Sequence, residues 1–411
     1  MTNPTDLQPA VAREHQSPQD PGPEAQVTVA GIRAAIAPVL EHLKATAADR
    51  ELRRELPYAE VKELAERRVL WLLIPRADGG AGATTRELFE VVIDIARADS
   101  NVAQALRSSF LTTIRAAGRA EPDARARLVE RVLAGHVFAG TTNERGVASG
   151  AVATRLRRQG DGFVVSGTKY YSTGGLYANW FTGTATDDDG EVVSFTVPTD
   201  REGVECIDDF DAVGQRMTAS GSTRLTDVRV TADEIDRPDR GRRNPFTSAA
   251  QLYLAAVEAG IAGAVLDDAV WFANERARAI KHSSATSAVG DPYVRHAVGE
   301  ISARGHAARA AVLFAAETLD AAWAGEYDRH VLIAAAVTVA EAQFIAVESA
   351  LKSAELLFDV GGGGATDREH NFDRHWRNAR TVANHNPRAW KAGVIGGYRL
   401  TGEEPPTTGL F

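Results

Sequence analysis

Residues 152–174 read VATRLRRQGDGFVVSGTKYYSTG. The fold turns on this stretch, because the pattern of the chain changes there. Short runs flank a DG turn signal and alternate apolar with polar residues, as the strands of a β-hairpin do. The segment ANWFTGTATDDDGEVVSFTVP (178–198) repeats the pattern around DDDG, and STRLTDVRV (222–230) closes the region. We therefore expect an antiparallel β domain over residues 136–243.

On both sides of this region the apolar residues recur at helical spacing. Before it stand VAGIRAAIAPVLEHLKATAADRELRRE (29–55), in which Pro38 is expected to kink the helix or start a new one, and LPYAEVKELAERRV (56–69). A glycine-marked loop then leads into TTRELFEVVIDIARAD (84–99), with Thr84 or Thr85 as the cap. After the β region come three long Ala-rich helices, within 249–280, 292–324 and 328–360. The predicted order is a tail (1–27), an N-terminal helical domain (28–135), the β domain (136–243), a C-terminal helical bundle (244–400) and a short tail (401–411). Residues 1–27 hold five prolines and no periodic apolar pattern, as a disordered tail does.

Composition narrows the function classes. The 411 residues are 44% apolar and 25% charged, an ordinary globular balance. A net charge of −9 argues against nucleic acid or an anionic membrane as partner, since both need a basic surface. A single cysteine, Cys206, excludes an internal disulfide framework and a cysteine-rich metal site. No signal-peptide pattern opens the chain. The most apolar run, VLIAAAVTVAEAQFIAV (331–347), contains Glu341 and is read as a buried helix. A cytoplasmic location is expected. No GxGxxG after a strand, P-loop or HExxH is present, and no metal is expected.

Polar capacity is concentrated in DRHWRNARTVANHNP (373–387). Arg374, Arg377 and Arg380 recur every three residues and form a slanted stripe on one helix side. The alternative use of the stripe is a structural network with Asp367, Glu369 and Asp373. TTNERG (141–146), GTKYYSTGGLYANW (167–180), VGQRMTASGSTRLTDVRV (213–230), GGGGA (361–365) and RHWRNARTVANHNP (374–387) carry a family resemblance. Over residues 30–400 the chain resembles the acyl-CoA dehydrogenase fold. Within it, the chain is similar to the flavin-dependent monooxygenases of the dibenzothiophene and dimethylsulfone monooxygenase group.

That resemblance implies an α+β architecture: an N-terminal helical domain, a central antiparallel β domain and a C-terminal four-helix bundle, assembled as a homotetramer. It implies a bound reduced flavin, FMN or FAD, delivered by a separate NAD(P)H-dependent reductase. Oxygen from O2 then passes through a C4a-hydroperoxide to sulfur or nitrogen of a small molecule. By resemblance, His385 and Ser172 face the reacting edge of the flavin. Thr141, Thr142, Asn143 and Thr173 line the isoalloxazine. Arg276, Arg278 and Ser283 bind the phosphate. Arg374, Trp376, Arg377 and Asn378 contact the flavin, partly across a subunit interface. Relatives often carry a histidine within QALRSSF (104–110), where this chain has Ser109, so Ser109 or Gln104 is the expected substitute. An acyl-CoA dehydrogenase or oxidase is the competing reading, and it needs a carboxylate base. The aligned positions hold Asn386 and Tyr253, with Glu258 close by. A flavin-fold binding module without catalysis is the third reading.

Overall fold

The computed structural model describes residues 27–118, 121–148, 150–237, 243–325, 327–407 and 411. The expected N-terminal tail lies outside the described residues, apart from Val27. Six helices come first: α1 (Val29–Arg53), α2 (Tyr58–Glu66), α3 (Thr85–Ala98), α4 (Ser100–Ala105), α5 (Arg107–Gly118) and α6 (Pro122–Leu133). Helix α1 runs unbroken through Pro38. Helix α3 starts where a capping box predicts: Thr84 accepts from the Glu87 backbone N–H, and the Glu87 carboxylate accepts from the Thr84 N–H.

The β domain holds β1 (Phe138–Thr141), β2 (Arg155–Gln159), β3 (Gly162–Lys169), β4 (Trp180–Thr186), β5 (Val192–Pro198), β6 (Val204–Ile207), β7 (Ser222–Val230) and β8 (Ile235–Asp236). They form one sheet in the order β6-β7-β3-β2-β4-β5-β8, with β1 beside β4. Most pairs are antiparallel, as the hairpin patterns require. Two are parallel, β1 with β4 and β2 with β4, so the sheet is mixed. In the β4–β5 turn, Asp187 accepts from the backbone of Asp189 and Glu191, as the DDDG signal predicts. Alternate residues of β4 and β5, among them Phe181, Val193, Phe195 and Val197, fill a small core of their own.

The bundle holds α7 (Pro245–Glu275), α8 (Pro292–Ala324), α9 (Arg329–Gly361), α10 (Asp373–Ala383) and α11 (Arg388–Thr401). By length and composition α7 and α9 are apolar enough to cross a membrane, but 89% and 61% of their most apolar windows are buried within the chain. Both helices share the large core with α1, α3 and α5, so the N-terminal and C-terminal helices pack as one body. Residues 402–407 lie against the bundle through Arg243 on Pro405 and the Arg329–Glu404 pair at 2.6 Å.

Candidate active site

Helices α4 and α5 bring the β domain and the bundle to one place, and two close approaches make this possible. A Cβ on Gly174 would stand 2.5 Å from the Ala105 carbonyl oxygen, and its φ is +82°. A Cβ on Gly140 would stand 2.9 Å from Ser108 Oγ. Position 174 needs glycine to press this tightly on the helix backbone, whereas a side chain at Gly140 would have to displace the Ser108 hydroxyl. Gly174→Ala is therefore expected to cost at least ~1–2 kcal/mol through its left-handed backbone alone. Thermal denaturation checks this, and a matching loss of flavin affinity in titration ties the contact to the site.

The ends of β1 and β3 are clamped together. The Asn143 carbonyl accepts from the Tyr170 N–H at 2.9 Å. Beneath the turn, Glu144 and Lys169 form a buried ion pair at 2.6 Å. Hydrogen bonds from Lys169 and Thr154 outweigh the desolvation of Glu144 and hold its pKa at about 2. Ser172 Oγ sits 2.9 Å from Thr141 Oγ1 and accepts from Thr223 Oγ1 at 2.8 Å. Ser220 donates to Thr173 Oγ1 at 2.9 Å. Thr142 and Asn143 are exposed and Thr173 is half-buried, whereas Thr141 and Ser172 are fully buried.

On the bundle side stands His385, just past the end of α10. Its Nδ1 lies 3.0 Å from the Val382 carbonyl oxygen and must carry the proton there. Its Nε2 lies 3.2 Å from Gln104 Nε2, which then donates to the free lone pair. By surface area the residue is exposed, although its ring is close enough to protein atoms to be desolvated. Desolvation, helped by the Arg107 guanidinium, pushes the imidazole down to about 4, so it is neutral at pH 7. Arg107 was not singled out by the sequence. Its Nη2 donates to the Ala250 carbonyl at 3.1 Å, its buried Nε finds no acceptor, and no carboxylate pairs with it among the described residues. Desolvation lowers its pKa to about 10, which still leaves it charged.

Several of the expected residues have protein partners of their own or lie far from His385. Ser109 is fully buried, and its hydroxyl both donates to the Phe138 carbonyl and accepts from the Phe138 N–H. It staples α5 to β1, and its one donor hydrogen is committed there. Ser172 is buried behind Thr173 and committed to two hydroxyls, so Thr173 is the hydroxyl that faces outward. Arg374 pairs with Asp268 at 2.6 Å, as does His375 at 2.7 Å. Arg377 pairs with Glu51 at 2.5 Å and Asp373 at 2.9 Å. Asn378 Oδ1 accepts from the Gln215 N–H at 2.6 Å. The stripe is thus mainly an arginine–carboxylate network, and Trp376 beside it is exposed. Arg276, Arg278 and Ser283 lie at or beyond the far end of α7. Gln251, which accepts from Asn386 beside His385, lies near the start of that helix. At 1.5 Å per residue about 36 Å separates the two levels, so one chain does not bring these residues to His385.

No candidate position offers an ionised carboxylate to remove a substrate proton. Asn386 is an amide tied to Gln251. Tyr253 donates to the Ala103 carbonyl at 2.7 Å and is fully buried. Glu258 is also fully buried, neither carboxylate oxygen has a partner, and desolvation raises its pKa well above the usual range. It is enclosed in the bundle, where burial disfavours its charged form.

Comparison with known proteins agrees with this architecture. The family models for the N-terminal, middle and C-terminal domains of acyl-CoA dehydrogenase match residues 31–136, 137–228 and 252–388. The chain is 32% identical to a probable FMNH2-dependent monooxygenase, SfnC, of Pseudomonas putida, covering 88% of this chain and 92% of that one. It is 31% identical to the dibenzothiophene monooxygenase of Rhodococcus qingshengii, covering 96% and 97%. A complex of TdsC from Paenibacillus sp. A11-2 with FMN and indole superposes with a TM-score of 0.87 at 25% identity, over 92% of this chain and 99% of that one. The chain belongs to the acyl-CoA dehydrogenase family.

Proposed function

We propose that the protein is a reduced-flavin-dependent monooxygenase that passes oxygen from O2 to sulfur or nitrogen of a small molecule. The observation that carries this reading is the placing of a neutral histidine near a cation without a carboxylate partner, with no ionised carboxylate at the aligned base positions. Dehydrogenation of a thioester needs such a base, and oxygen transfer does not.

The donor set fits FMN. Arg107 is a charge awaiting an anion, and a reduced flavin carries negative charge. Thr142, Asn143 and Thr173 offer short polar groups at strand ends, where they can meet a ring edge. When bound, the reduced flavin supplies the electrons that activate O2. The chain's own groups do the rest. His385 can take a proton at Nε2 and return it, and Gln104 holds that place until a reacting O–H displaces it. Arg107 offsets negative charge in a desolvated setting, where such charge is poorly solvated. Arg276, Arg278 and Ser283 serve the phosphate of a flavin held mainly by another copy, which requires the homotetramer. A separate NAD(P)H-dependent reductase supplies the reduced flavin, and the cytoplasm is its place of work.

The test is anaerobic loading with photoreduced FMN, followed by mixing with oxygenated buffer in a stopped-flow instrument. The expected result is a transient spectrum unlike either reduced or oxidised flavin. A dissolved thioether or amine should then gain oxygen, with a matching fall in hydrogen peroxide. Immediate reoxidation with one peroxide per flavin, and no oxygenated product with dibenzothiophene or an alkyl sulfide, would overturn the reading. So would bleaching of a tightly bound flavin by an acyl-CoA.

A further inference from the structure

A cavity of about 530 Å³ opens between α2, the end of α6 and the start of the β domain. Its volume lies within the roughly 300–1,000 Å³ usual for small-molecule sites. It is separate from the candidate active site. Val137 lines it at one end of β1, and Thr141 stands at the other, about 13 Å away at 3.3 Å per residue.

The walls are aromatic and aliphatic. Tyr58 and Tyr177 meet edge to face at 5.2 Å, and Trp71, Val61, Leu133 and Leu176 add apolar surface. Such walls favour a flat aromatic body. The polar groups lean one way. Glu66 is answered by Lys62 at 3.6 Å. Arg68 has no carboxylate partner among the described residues; its guanidinium lies 4.7 Å from the centre of the Trp71 ring. His136 accepts at Nδ1 from Trp180 Nε1 at 3.0 Å, so its hydrogen sits on Nε2 and is a free donor. The buried indole N–H of Trp71 has no acceptor. One unbalanced cation, Arg68, and one unused donor, the His136 Nε2–H, line a space in which the single carboxylate, Glu66, is already paired.

We propose that this cavity is a binding site for a planar aromatic anion, with the ring between Tyr58, Tyr177 and Trp71 and the acidic group toward Arg68. Its floor connects to the active site, because Tyr177 donates to the Met217 carbonyl at 2.6 Å and the neighbouring Thr218 belongs to the hydroxyl cluster beside Thr173.

Calorimetric titration of the full chain with naphthalene-2-sulfonate tests the site, in the presence of saturating FMN. The expected result is one saturable site per chain. Arg68→Gln should weaken binding at least tenfold, and the neutral analogue 2-naphthalenemethanol should bind at least tenfold more weakly than the sulfonate. Ala134→Trp should abolish binding, since Ala134 lines the cavity from an exposed position and a larger side chain there fills it without disturbing the core. Absence of saturable binding, binding that survives Ala134→Trp, equal binding of the neutral analogue or displacement by FMN would each overturn the assignment. Arg68→Gln changes an exposed residue, so it keeps the proposal testable if Ala134→Trp fails to fold.

Discussion

Replacing Glu51 by alanine is expected to destabilise the chain by about 3–5 kcal/mol, the usual cost of stripping one partner from a buried ion pair. Glu51 lies on α1 and is only 1% exposed. It accepts from Arg377 of α10 at 2.5 and 3.0 Å and from Asn371 at 2.7 Å, and it pairs with Arg216 of the β domain at 3.3 Å. All three domains meet on this carboxylate, and its loss leaves two guanidinium groups without their shared anion. Burial pushes the Glu51 pKa up, but the hydrogen bonds from Arg377 and Asn371 and the two positive charges hold it at about 2. A depressed carboxylate pKa stabilises the fold above the unfolded value near 4.5, and the contribution is lost as the pH falls toward 2. Urea unfolding of wild type and Glu51→Gln should differ most above about pH 5 and converge toward pH 2. Equal stability of the two at pH 7 would show that the network contributes nothing net.

The three-part architecture was legible because hydrophobic periodicity changes from 3.6 to 2 and back along the chain. The parallel pairing of β1 with β4 was not, because period-2 alternation gives no strand direction. The arginine stripe was legible as a pattern, but its partners were not. Of the acids near it in sequence, Asp373 takes part, whereas the main anions, Glu51 and Asp268, lie 326 and 106 residues away. Neighbouring acids are the natural guess, and packing between helices chose others. Arg107 was invisible for a related reason. A lone arginine in LRSSF has no periodic signature, and lacking a counter-ion is a property of the fold alone. The resemblance pointed to His385, but its neutral state follows from Arg107 and desolvation. Ser109 occupies the position the resemblance marked for chemistry, and its own hydrogen bonds to Phe138 use it as a staple.

His385→Ala is expected to lower the rate of oxygen transfer by about 100-fold or more, the range in which positioned acid–base groups act. Hydrogen peroxide should rise in its place, because reduced flavin still meets O2. The pH dependence distinguishes a proton carrier from a packing residue. A histidine held near 4 stays neutral through the working range, so the wild-type profile should show no break near 6.5 from this residue. Gln104→Glu then reverses the electrostatics, because a carboxylate facing Nε2 favours the charged imidazolium and raises its pKa by about 1–3 units. The ring's titration should move up into the range between pH 5 and 8, where NMR of the imidazole can follow it, and the rate should acquire a matching pH dependence. A merely structural histidine would change stability in both variants and leave the shape of the rate profile alone. If His385→Ala oxygenates at the wild-type rate, the imidazole is not the proton carrier, and the chemistry falls to the other polar groups of the site, Arg107, Gln104, Thr142, Asn143 and Thr173.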